Sequence, residues 1–317
     1  MEFMAKSVHC TPVATSTTIN KVTGKKVYLK MENQQKTGSF KVRGSSYKIS
    51  RLSDQQAQNG VIAASAGNHA QGVALAAAKR GVKATIYMPE KTPEAKVLAT
   101  RTYGAQTVLT GASFQDALLA AQDEQKRTNS TFIHPFDDPD IMAGQGTIAV
   151  EMLQQIPVLD SMIVPVGGGG LISGIAVAAK SIKPSIRIIG VQTKSADAMY
   201  HKFHRLGGIK KLDLPTLAEG IAVKTPGALT SDIICQYVDD MVTVSDHDIA
   251  AAILFMLERQ KTLLEGAGAA ALAALLVHGH RIKSRQCGVI ASGGNIDLAK
   301  LPIIQALSKE NHLSCLA

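Results

Sequence analysis

Tryptophan is absent from this chain of 317 residues, and aromatic residues make up only 4% of it. Cysteine is also scarce: no two of its four positions, Cys10, Cys235, Cys287 and Cys315, form a CxxC pair. This spacing argues against a zinc site and a disulfide framework. No window approaches the roughly 18 uncharged apolar residues of a membrane span. The first ten residues lack the apolar run of a secretory signal. We therefore expect a reduced, cytoplasmic protein with no membrane partner.

The positive charge of the chain has no nucleic-acid motif beside it. Lys and Arg number 34 against 25 Asp and Glu, which gives a net charge of +9. The basic residues are scattered, and no recognition motif accompanies the densest stretch, residues 25–48. We expect no nucleic-acid partner, and we interpret the excess as a basic surface that also suits anionic small molecules.

The order of apolar runs predicts an α/β protein. Hydrophobic residues make up 45% and charged residues 19% of the chain, and its length predicts about two domains. Short apolar runs alternate with helical segments, which is typical of parallel sheets covered by helices. The predicted strands are 27–31, 61–64, 84–88, 106–109, 131–133, 161–166, 186–191, 241–244 and 287–291. The predicted helices are 68–80, 93–103, 113–126, 141–155, 171–181, a helix after the N-cap Ser245 up to 260, and 267–277. Residues 206–230 are interpreted as irregular.

Three glycine-bearing turns follow predicted strands. They read Ser-Ala-Gly-Asn-His at 65–69, four consecutive glycines at 167–170, and Ser-Gly-Gly-Asn at 292–295. In open α/β sheets, ligands bind outside the carboxyl ends of the strands. The three turns therefore predict one site built from distant parts of the sequence.

The four-glycine turn is the most specific of these signals. It stands between an apolar strand and a helix, so its N–H groups can face an anion at the positive end of the helix dipole. A tight turn with positive φ needs only one glycine. The dinucleotide pattern is not met, because Ile172 or Ser173 takes the place of its third glycine, and no Gly-Lys-Ser/Thr of a Walker A loop follows. The turn predicts a site for a lone phosphate group.

Lys41 follows Phe40 in the segment Thr-Gly-Ser-Phe-Lys-Val-Arg-Gly, just before a helix-like stretch. A lysine near an anion site can form a Schiff base with an aldehyde cofactor. Taken alone, however, a lysine is far more often an exposed surface residue. The residues by themselves leave both interpretations open.

Five segments in this order, GSFKVRG, SAGNHAQGVA, PVGGGGLISG, EGAGAAALAAL and SGGNID, resemble the fold-type II pyridoxal-phosphate enzymes. They are most similar to threonine dehydratases (threonine ammonia-lyases), and the resemblance runs from about Cys10 to Leu298. It implies an α/β, tryptophan synthase beta-like fold of two doubly wound parallel-sheet domains. Residues 1–45 and 141–317 would form the large cofactor-binding domain, and 46–140 a small mobile domain that closes over substrate. No regulatory domain is expected after the last motif, and hence no isoleucine feedback.

The resemblance also implies which residues hold pyridoxal 5'-phosphate. Lys41 would be the catalytic lysine that carries the cofactor, and Phe40 would pack beneath its ring. Asn68 would hydrogen-bond the ring hydroxyl, Gly220 would lie near the other face, and Ser292 would face the ring nitrogen. The phosphate would be held by Gly167, Gly168, Gly169, Gly170 and Leu171.

The substrate carboxylate would lie at the turn before the helix 68–80, bound by Ser65, Ala66, Asn68 and His69. For His69 a simple polar cap of the helix remains open. Glu265, in Glu-Gly-Ala-Gly, is either a group that orients the ring or an ordinary acid at a helix start.

The implied reaction is deamination of L-threonine to 2-oxobutanoate and ammonia, and of L-serine to pyruvate, in a homodimer or homotetramer. The alternative within the class is a serine dehydratase or serine racemase. Ala66 stands where the racemase pattern has a serine base, which favours the dehydratase. Outside the class, a non-catalytic phosphate-binding protein that uses only the four-glycine turn remains open.

No metal site is expected. The racemase pattern has acidic metal ligands where this chain has Gln192 and Ala198. A monovalent cation held by backbone carbonyls near Gln192 and Ala196 stays open. Glu219 also departs from the aspartate that the family has before the glycine matched to Gly220, with little expected effect.

Overall fold

The computed structural model describes residues 6–207 and 215–309. The chain forms two compact units. Unit 1 consists of Met1–His9 and Gln35–Gln145, and unit 2 of Cys10–Gln34 and Gly146–Ala317. The prediction that residues 46–140 form a small mobile domain stays a prediction. No helix among the described residues is long and apolar enough to cross a membrane.

The bounds of the described elements are as follows. The strands are β1 (Val13–Thr15), β2 (Lys26–Met31), β3 (Val61–Ala64), β4 (Ala84–Met88), β5 (Gln106–Leu109), β6 (Thr131–Phe132), β7 (Ser161–Pro165), β8 (Arg187–Thr193), β9 (Asp240–Val244) and β10 (Gln286–Ala291). The helices are α1 (Thr17–Thr23), α2 (Lys41–Ser50), α3 (Asp54–Asn59), α4 (Asn68–Arg80), α5 (Glu94–Thr102), α6 (Phe114–Thr128), α7 (Pro139–Gln155), α8 (Gly170–Ile182), α9 (Ala198–Phe203), α10 (Ala228–Tyr237), α11 (Asp246–Gln260), α12 (Gly266–His278) and α13 (Leu301–Lys309). Short 3₁₀ turns are Glu32–Gln34, Glu219–Ile221 and Leu298–Lys300.

Unit 1 is built on a four-stranded sheet in the order β5-β4-β3-β6, and every neighbouring pair is parallel. Strands β3 and β4 are almost completely buried, which explains why they are near-continuous apolar runs. The predicted bounds of β3, β4 and β5 are confirmed, and β6 is one residue shorter than predicted. The predicted helix over 68–80 is confirmed as α4. It ends at Gly81, whose φ of +70° is a conformation that glycine adopts without steric cost.

Unit 2 is built on a six-stranded sheet in the order β1-β2-β10-β7-β8-β9. All neighbouring pairs are parallel except β1 and β2, which are antiparallel. The α/β class is confirmed, but this sheet is mixed, whereas a purely parallel one was expected. The physical reason is the connection between β1 and β2, residues 16–25, which is shorter than the dozen or more residues that a parallel crossover needs.

Helix α11 begins where the sequence predicts. The Ser245 hydroxyl accepts a hydrogen bond from the Asp248 N–H, and the Asp248 carboxylate accepts one from the Ser245 N–H at 2.8 Å. This reciprocal pair satisfies two N–H groups that have no helical acceptor. The predicted N-cap and the end at Gln260 are both confirmed.

Six short elements, β1, α1, α3, α9, α10 and α13, were not predicted. None is longer than ten residues, and a short segment gives only a weak periodic signal. The prediction of irregular structure over 206–230 is wrong at its end, because α10 begins at Ala228. Residues 208–214 of that stretch, and Cys315, lie outside the described residues.

Candidate functional site

The four-glycine turn leads from β7 into α8 of unit 2. The first bond of the helix joins the Ser173 N–H to the Gly169 carbonyl at 2.9 Å. The amides between these two residues therefore have no acceptor within the helix. Together with the positive end of the helix dipole, they suit the phosphate expected there. Leu171, in this first turn, is buried.

Two glycines of the turn have no room for a side chain. Gly169 has a φ of +98°, and a Cβ there would lie 2.8 Å from the Cβ of Thr230. A Cβ on Gly167 would lie 3.0 Å from the Cα of Ile221. The Thr230 hydroxyl also donates to the Gly168 carbonyl at 2.7 Å. The turn is thus packed closely from behind at these two glycines.

Gln192 fixes the strand end from which this turn starts. Its side chain is fully buried, and its Nε2 donates to the Val166 carbonyl at 3.3 Å, directly before the turn. Its Oε1 accepts from the Tyr200 N–H at 2.7 Å. The carboxamide therefore has protein partners at both ends. Within residues 6–207 and 215–309, no group of three or more His, Cys, Asp or Glu side chains is placed to hold a metal ion. Ala198, the first residue of α9, offers no side-chain ligand.

Ser292 and Gly220 lie around the start of α12 in unit 2. The buried Ser292 hydroxyl donates to the Ala267 carbonyl at 3.3 Å. A Cβ on Gly220 would lie 3.0 Å from the Cβ of Ala267 and 3.9 Å from Oε1 of Glu265. The Glu265 N–H bonds to the Gly293 carbonyl at 3.1 Å. Glu265 is therefore the N-cap residue of α12, and its carboxylate lies beside Gly220.

Two glycines in the first turn of α12 allow the backbone of the neighbouring segments to approach the helix closely. A Cβ on Gly266 would overlap the Leu217 carbonyl, and a Cβ on Gly268 would overlap the Gly293 carbonyl. Since β7 and β10 are parallel neighbours, the four-glycine turn and the turn at Ser292 leave the sheet at the same edge. Unit 2 thus brings the four-glycine turn and Ser292 together at the carboxyl ends of adjacent strands, with Gly220 beside them from the 3₁₀ turn Glu219–Ile221.

Lys41 is the first residue of α2 in unit 1, and Phe40 precedes it with helical backbone angles. The Lys41 Nζ donates to the Pro135 carbonyl at 2.8 Å and lies 5.3 Å from the centre of the Phe40 ring. Both side chains are half-buried. A cation at this distance is attracted by the negative face of the ring, so the amine is held in place and is not a freely solvated surface group.

Gly72 of α4 allows the first turn of α2 to approach. A Cβ on Gly72 would lie 3.0 Å from the Val42 nitrogen and 3.1 Å from the Lys41 carbonyl carbon. On the other side of α2, a Cβ on Gly144 would lie 2.6 Å from the Cα of Gly44. Helices can approach this closely only where side chains are missing. The position of Lys41 is therefore set by backbone packing on two faces of its helix.

The turn before α4 presents backbone amides. The Ser65 hydroxyl accepts from the Gly67 N–H at 3.2 Å, which closes the turn. The first bond of α4 joins the Gln71 N–H to the Gly67 carbonyl at 3.3 Å. The amides from Asn68 onward in this first turn therefore have no helical acceptor. Ala66 and Asn68 are half-buried. Such a helix start favours a carboxylate.

His69 is directed inward. Its imidazole is buried, and Nε2 lies 2.8 Å from the Ile133 carbonyl. Burial, together with the positive charge of Lys41, lowers the pKa of His69 to about 3. The ring is neutral at pH 7, and Nε2 carries the hydrogen because a carbonyl can only accept. The part of His69 at the carboxylate turn is its backbone N–H, since its side-chain donor is already used.

His134 is a residue that the sequence analysis missed. Its Nδ1 accepts hydrogen bonds from the N–H groups of Phe136, at 3.3 Å, and Asp137, at 2.8 Å. The Lys41 charge acts on the imidazole, and the Pro135 carbonyl next to it receives the Lys41 amine. The detectable signal was a His-Pro pair directly after β6, at the same edge of the sheet as the turn after β3.

The predicted site residues form two groups. Phe40, Lys41 and the turn from Ser65 to His69 belong to unit 1. The four-glycine turn, Gly220 and Ser292 belong to unit 2.

A family model described as "Pyridoxal-phosphate dependent enzyme" matches residues 5–293. An L-threonine ammonia-lyase of Thermotoga maritima is 50% identical over 291 residues, which cover 92% of this chain and 72% of that protein. Among solved structures, the processed form of threonine deaminase isoform 2 from Solanum lycopersicum matches with a TM-score of 0.93 and 36% identity, covering 97% of this chain and 85% of that one. Maize serine racemase matches with a TM-score of 0.90 and 39% identity, covering 99% and 95%.

Proposed function

Because this chain belongs to the pyridoxal-phosphate dependent enzymes, we propose that it is an L-threonine ammonia-lyase that uses pyridoxal 5'-phosphate. It deaminates L-threonine to 2-oxobutanoate and ammonia, and L-serine to pyruvate. The observation that carries the proposal is the Lys41 amine, which the fold holds half-buried at the start of α2 between the Phe40 ring and the Pro135 carbonyl.

The residues present fit the cofactor. The amides between Gly169 and Ser173, which have no acceptor within α8, suit the phosphate of this group. Within unit 2, the Ser292 hydroxyl would turn from the Ala267 carbonyl to donate to a neutral ring nitrogen. Within unit 1, Asn68 offers a hydrogen-bonding side chain for the ring hydroxyl. Within unit 1, the Phe40 ring offers a flat surface for a cofactor ring. When bound, the cofactor supplies an electron sink for the charge that develops at the substrate Cα.

Lys41 is proposed as the residue that first holds the cofactor and then, once released by the substrate amine, removes the Cα proton. Ser292 cannot keep a ring nitrogen protonated as an aspartate would. With Ser292 at the ring nitrogen, a bound cofactor would be a weaker electron sink, which would suit the loss of the β-hydroxyl that a dehydratase requires.

The turn from Ser65 to His69 is proposed to bind the substrate carboxylate. The donors are the Ser65 hydroxyl and the backbone amides of Asn68 and His69. A carboxylate there is also stabilised by the positive end of the α4 dipole. The imidazole of His69 contributes only by fixing the start of the helix, because its hydrogen is donated to Ile133.

Serine racemase is the second candidate, since racemase structures share this fold at 37–39% identity. Racemisation needs a base on each face of the substrate. Ala66 has no side-chain group that could take a proton in this turn. We therefore propose dehydration as the main reaction, with racemisation minor.

We further propose that the enzyme is a cytoplasmic homodimer or homotetramer that needs no divalent metal. Gln192 supports the last point, because its carboxamide bonds internally to Val166 and Tyr200. Sedimentation velocity measures the assembly. Turnover that is unchanged by EDTA is expected, and a loss restored by Mg²⁺ would contradict the metal-free proposal.

The proposed function is tested with Lys41→Ala and Lys41→Arg. Each is expected to lose about 10³-fold or more in 2-oxo acid release from L-threonine, since neither replacement can act as the amine base. Arginine keeps the positive charge at this position. A loss of activity in Lys41→Arg therefore shows that the amine acts as a base and not only as a positive charge. Both should also lose the visible absorbance of a lysine-bound cofactor.

The matched control is Lys126→Ala, because the Lys126 side chain on α6 is exposed. The activity of this variant should stay within about twofold of wild type. Release of 2-oxo acid by Lys41→Ala at the wild-type rate contradicts the proposal. D-serine accumulation without 2-oxo acid favours the racemase instead.

A further inference from the structure

We infer that His134 is a positioning residue for Lys41: its Nδ1 holds the peptide between Pro135 and Phe136 so that the Pro135 carbonyl receives the lysine amine. This inference rests on the proposed function, in which Lys41 is the base. One peptide group carries both contacts, because the Pro135 carbonyl and the Phe136 N–H belong to the same planar unit.

The geometry joins three groups in series. The Lys41 Nζ donates to the Pro135 carbonyl at 2.8 Å. On the opposite side of that trans peptide, the Phe136 N–H donates to His134 Nδ1 at 3.3 Å. The Asp137 N–H donates to the same nitrogen at 2.8 Å. Rotating the peptide plane would break the bond to His134 and the bond to Lys41 together.

These bonds fix the state of the imidazole. An Nδ1 that accepts two N–H groups carries no hydrogen, so His134 is the neutral ring with its hydrogen on Nε2. Its edge-on contact with the Phe136 ring, 4.7 Å between centres, adds to the fixed orientation. The ring acts on Lys41 through the peptide.

The segment 134–138 is also held at its other end, at Asp138, by bonds that do not involve His134. Oδ1 of Asp138 accepts from the N–H groups of Asp140 and Ile141 at the start of α7, at 2.9 and 3.1 Å. Oδ2 of Asp138 pairs with Lys48 of α2 at 2.8 Å. The segment therefore keeps its path without His134, and loss of the Nδ1 acceptor is expected to change the orientation of one peptide more than the fold.

Protonation of His134 at Nδ1 would also change the orientation of the peptide between Pro135 and Phe136. A hydrogen on Nδ1 would face two N–H donors, so the peptide would have to turn, and the Pro135 carbonyl would move away from the Lys41 amine. Three charged groups act on the His134 ring: Lys41 of α2, and Asp137 and Asp138, which follow His134 in the chain. His69 of α4 also lies close enough to interact with it. Burial lowers the pKa of His134, the two carboxylates oppose this, and Lys41 adds to it. The neutral ring is the form present at neutral pH.

The test uses two variants of His134, each measured with bound pyridoxal 5'-phosphate. In His134→Asn, the amide oxygen can take the place of Nδ1 as an acceptor but does not titrate. His134→Leu has no acceptor. For L-threonine, His134→Leu is expected to lose about 10- to 100-fold in kcat, with KM within about threefold, because a displaced base costs rate more than binding. His134→Asn is expected to keep kcat within about threefold.

The pH profile separates positioning from a merely structural role. Wild-type kcat should fall more steeply on the acid side than that of His134→Asn, because only the wild-type residue titrates. Equal acid limbs, or an unchanged kcat in His134→Leu, would overturn the inference.

A second readout does not depend on activity. In protein labelled with ¹⁵N-histidine, the Nδ1 resonance of His134 should be that of an unprotonated acceptor at pH 7. Wild-type protein that does not turn over L-threonine would remove the proposed function yet leave this resonance to decide the role of the ring. A protonated Nδ1 would overturn the inference even in an active enzyme.

Discussion

The imidazole of His69 is enclosed within unit 1 and donates from Nε2 to the Ile133 carbonyl. Because the folded pKa is about 3 against an ordinary 6.5, the unfolded chain binds a proton here before the folded chain does. The contribution of this ring to stability is therefore fully present above about pH 6.5 and is lost as the pH falls toward 3.

Replacing His69 by Gln is expected to weaken this pH dependence. The Gln amide nitrogen can keep the donor near the position of Nε2, but it does not titrate. Between pH 7 and pH 5 the wild type should lose on the order of 2 kcal/mol of unfolding free energy through this ring, and His69→Gln should lose less by that amount. Urea unfolding at the two pH values measures the difference. Parallel losses in both proteins would contradict the pKa argument.

At the scale of an element, the start of α8 is limited by space as well as by backbone angle. Gly169→Ala forces a φ of +98° on alanine and places its Cβ against Thr230 and Ile234. We expect a loss of about 2–4 kcal/mol in unfolding free energy, together with weaker cofactor retention. Thermal unfolding and cofactor titration by absorbance measure the two effects.

Gly24→Ala is the matched control for that variant. Gly24 has a φ of +66° at the end of α1, but nothing lies within 4 Å of an added Cβ. Only the backbone strain, about 1–2 kcal/mol, should appear there. If Gly24→Ala costs as much as Gly169→Ala, steric overlap is not what excludes a side chain from the phosphate turn.

At the scale of the whole molecule, unit 2 depends on a buried ion pair. Lys30 of β2 is fully buried, and its Nζ lies 2.7 Å from Oε2 of Glu151 on α7. The same ammonium donates to the Thr11 carbonyl and to Oε1 of Gln155. One cation thus connects a central strand, a helix and the segment before β1.

Lys30→Met is expected to cost about 3–5 kcal/mol of unfolding free energy, because it leaves the Glu151 carboxylate buried without its cation. The double variant Lys30→Met with Glu151→Leu should recover much of that loss. Lys126→Met, which breaks an exposed pair with Asp123, should cost less than about 1 kcal/mol. Urea midpoints measure all three. A double variant as unstable as Lys30→Met alone would contradict the electrostatic explanation.

The long elements could be predicted because their signals are local. The alternation of apolar strands and helices, the Gly81 helix end and the Ser245 cap depend on residues within a few positions of each other, and the structure confirms them. Edge strand β1, with only three residues, has no pattern of its own and forms because it pairs with β2.

The sequence alone determined the α/β class and predicted an anion site at the four-glycine turn, because the order of apolar runs and the local spacing of glycines carry these features directly, whereas the role of Lys41 followed only from the resemblance of whole segments to a family. Tertiary structure decided what each side chain contacts. It directed the His69 imidazole to Ile133, placed Glu265 beside Gly220, and set the Pro135 carbonyl, held by His134, against the Lys41 amine. These contacts join residues 45 to 94 positions apart, and only the packing of distant elements fixes such distances and directions.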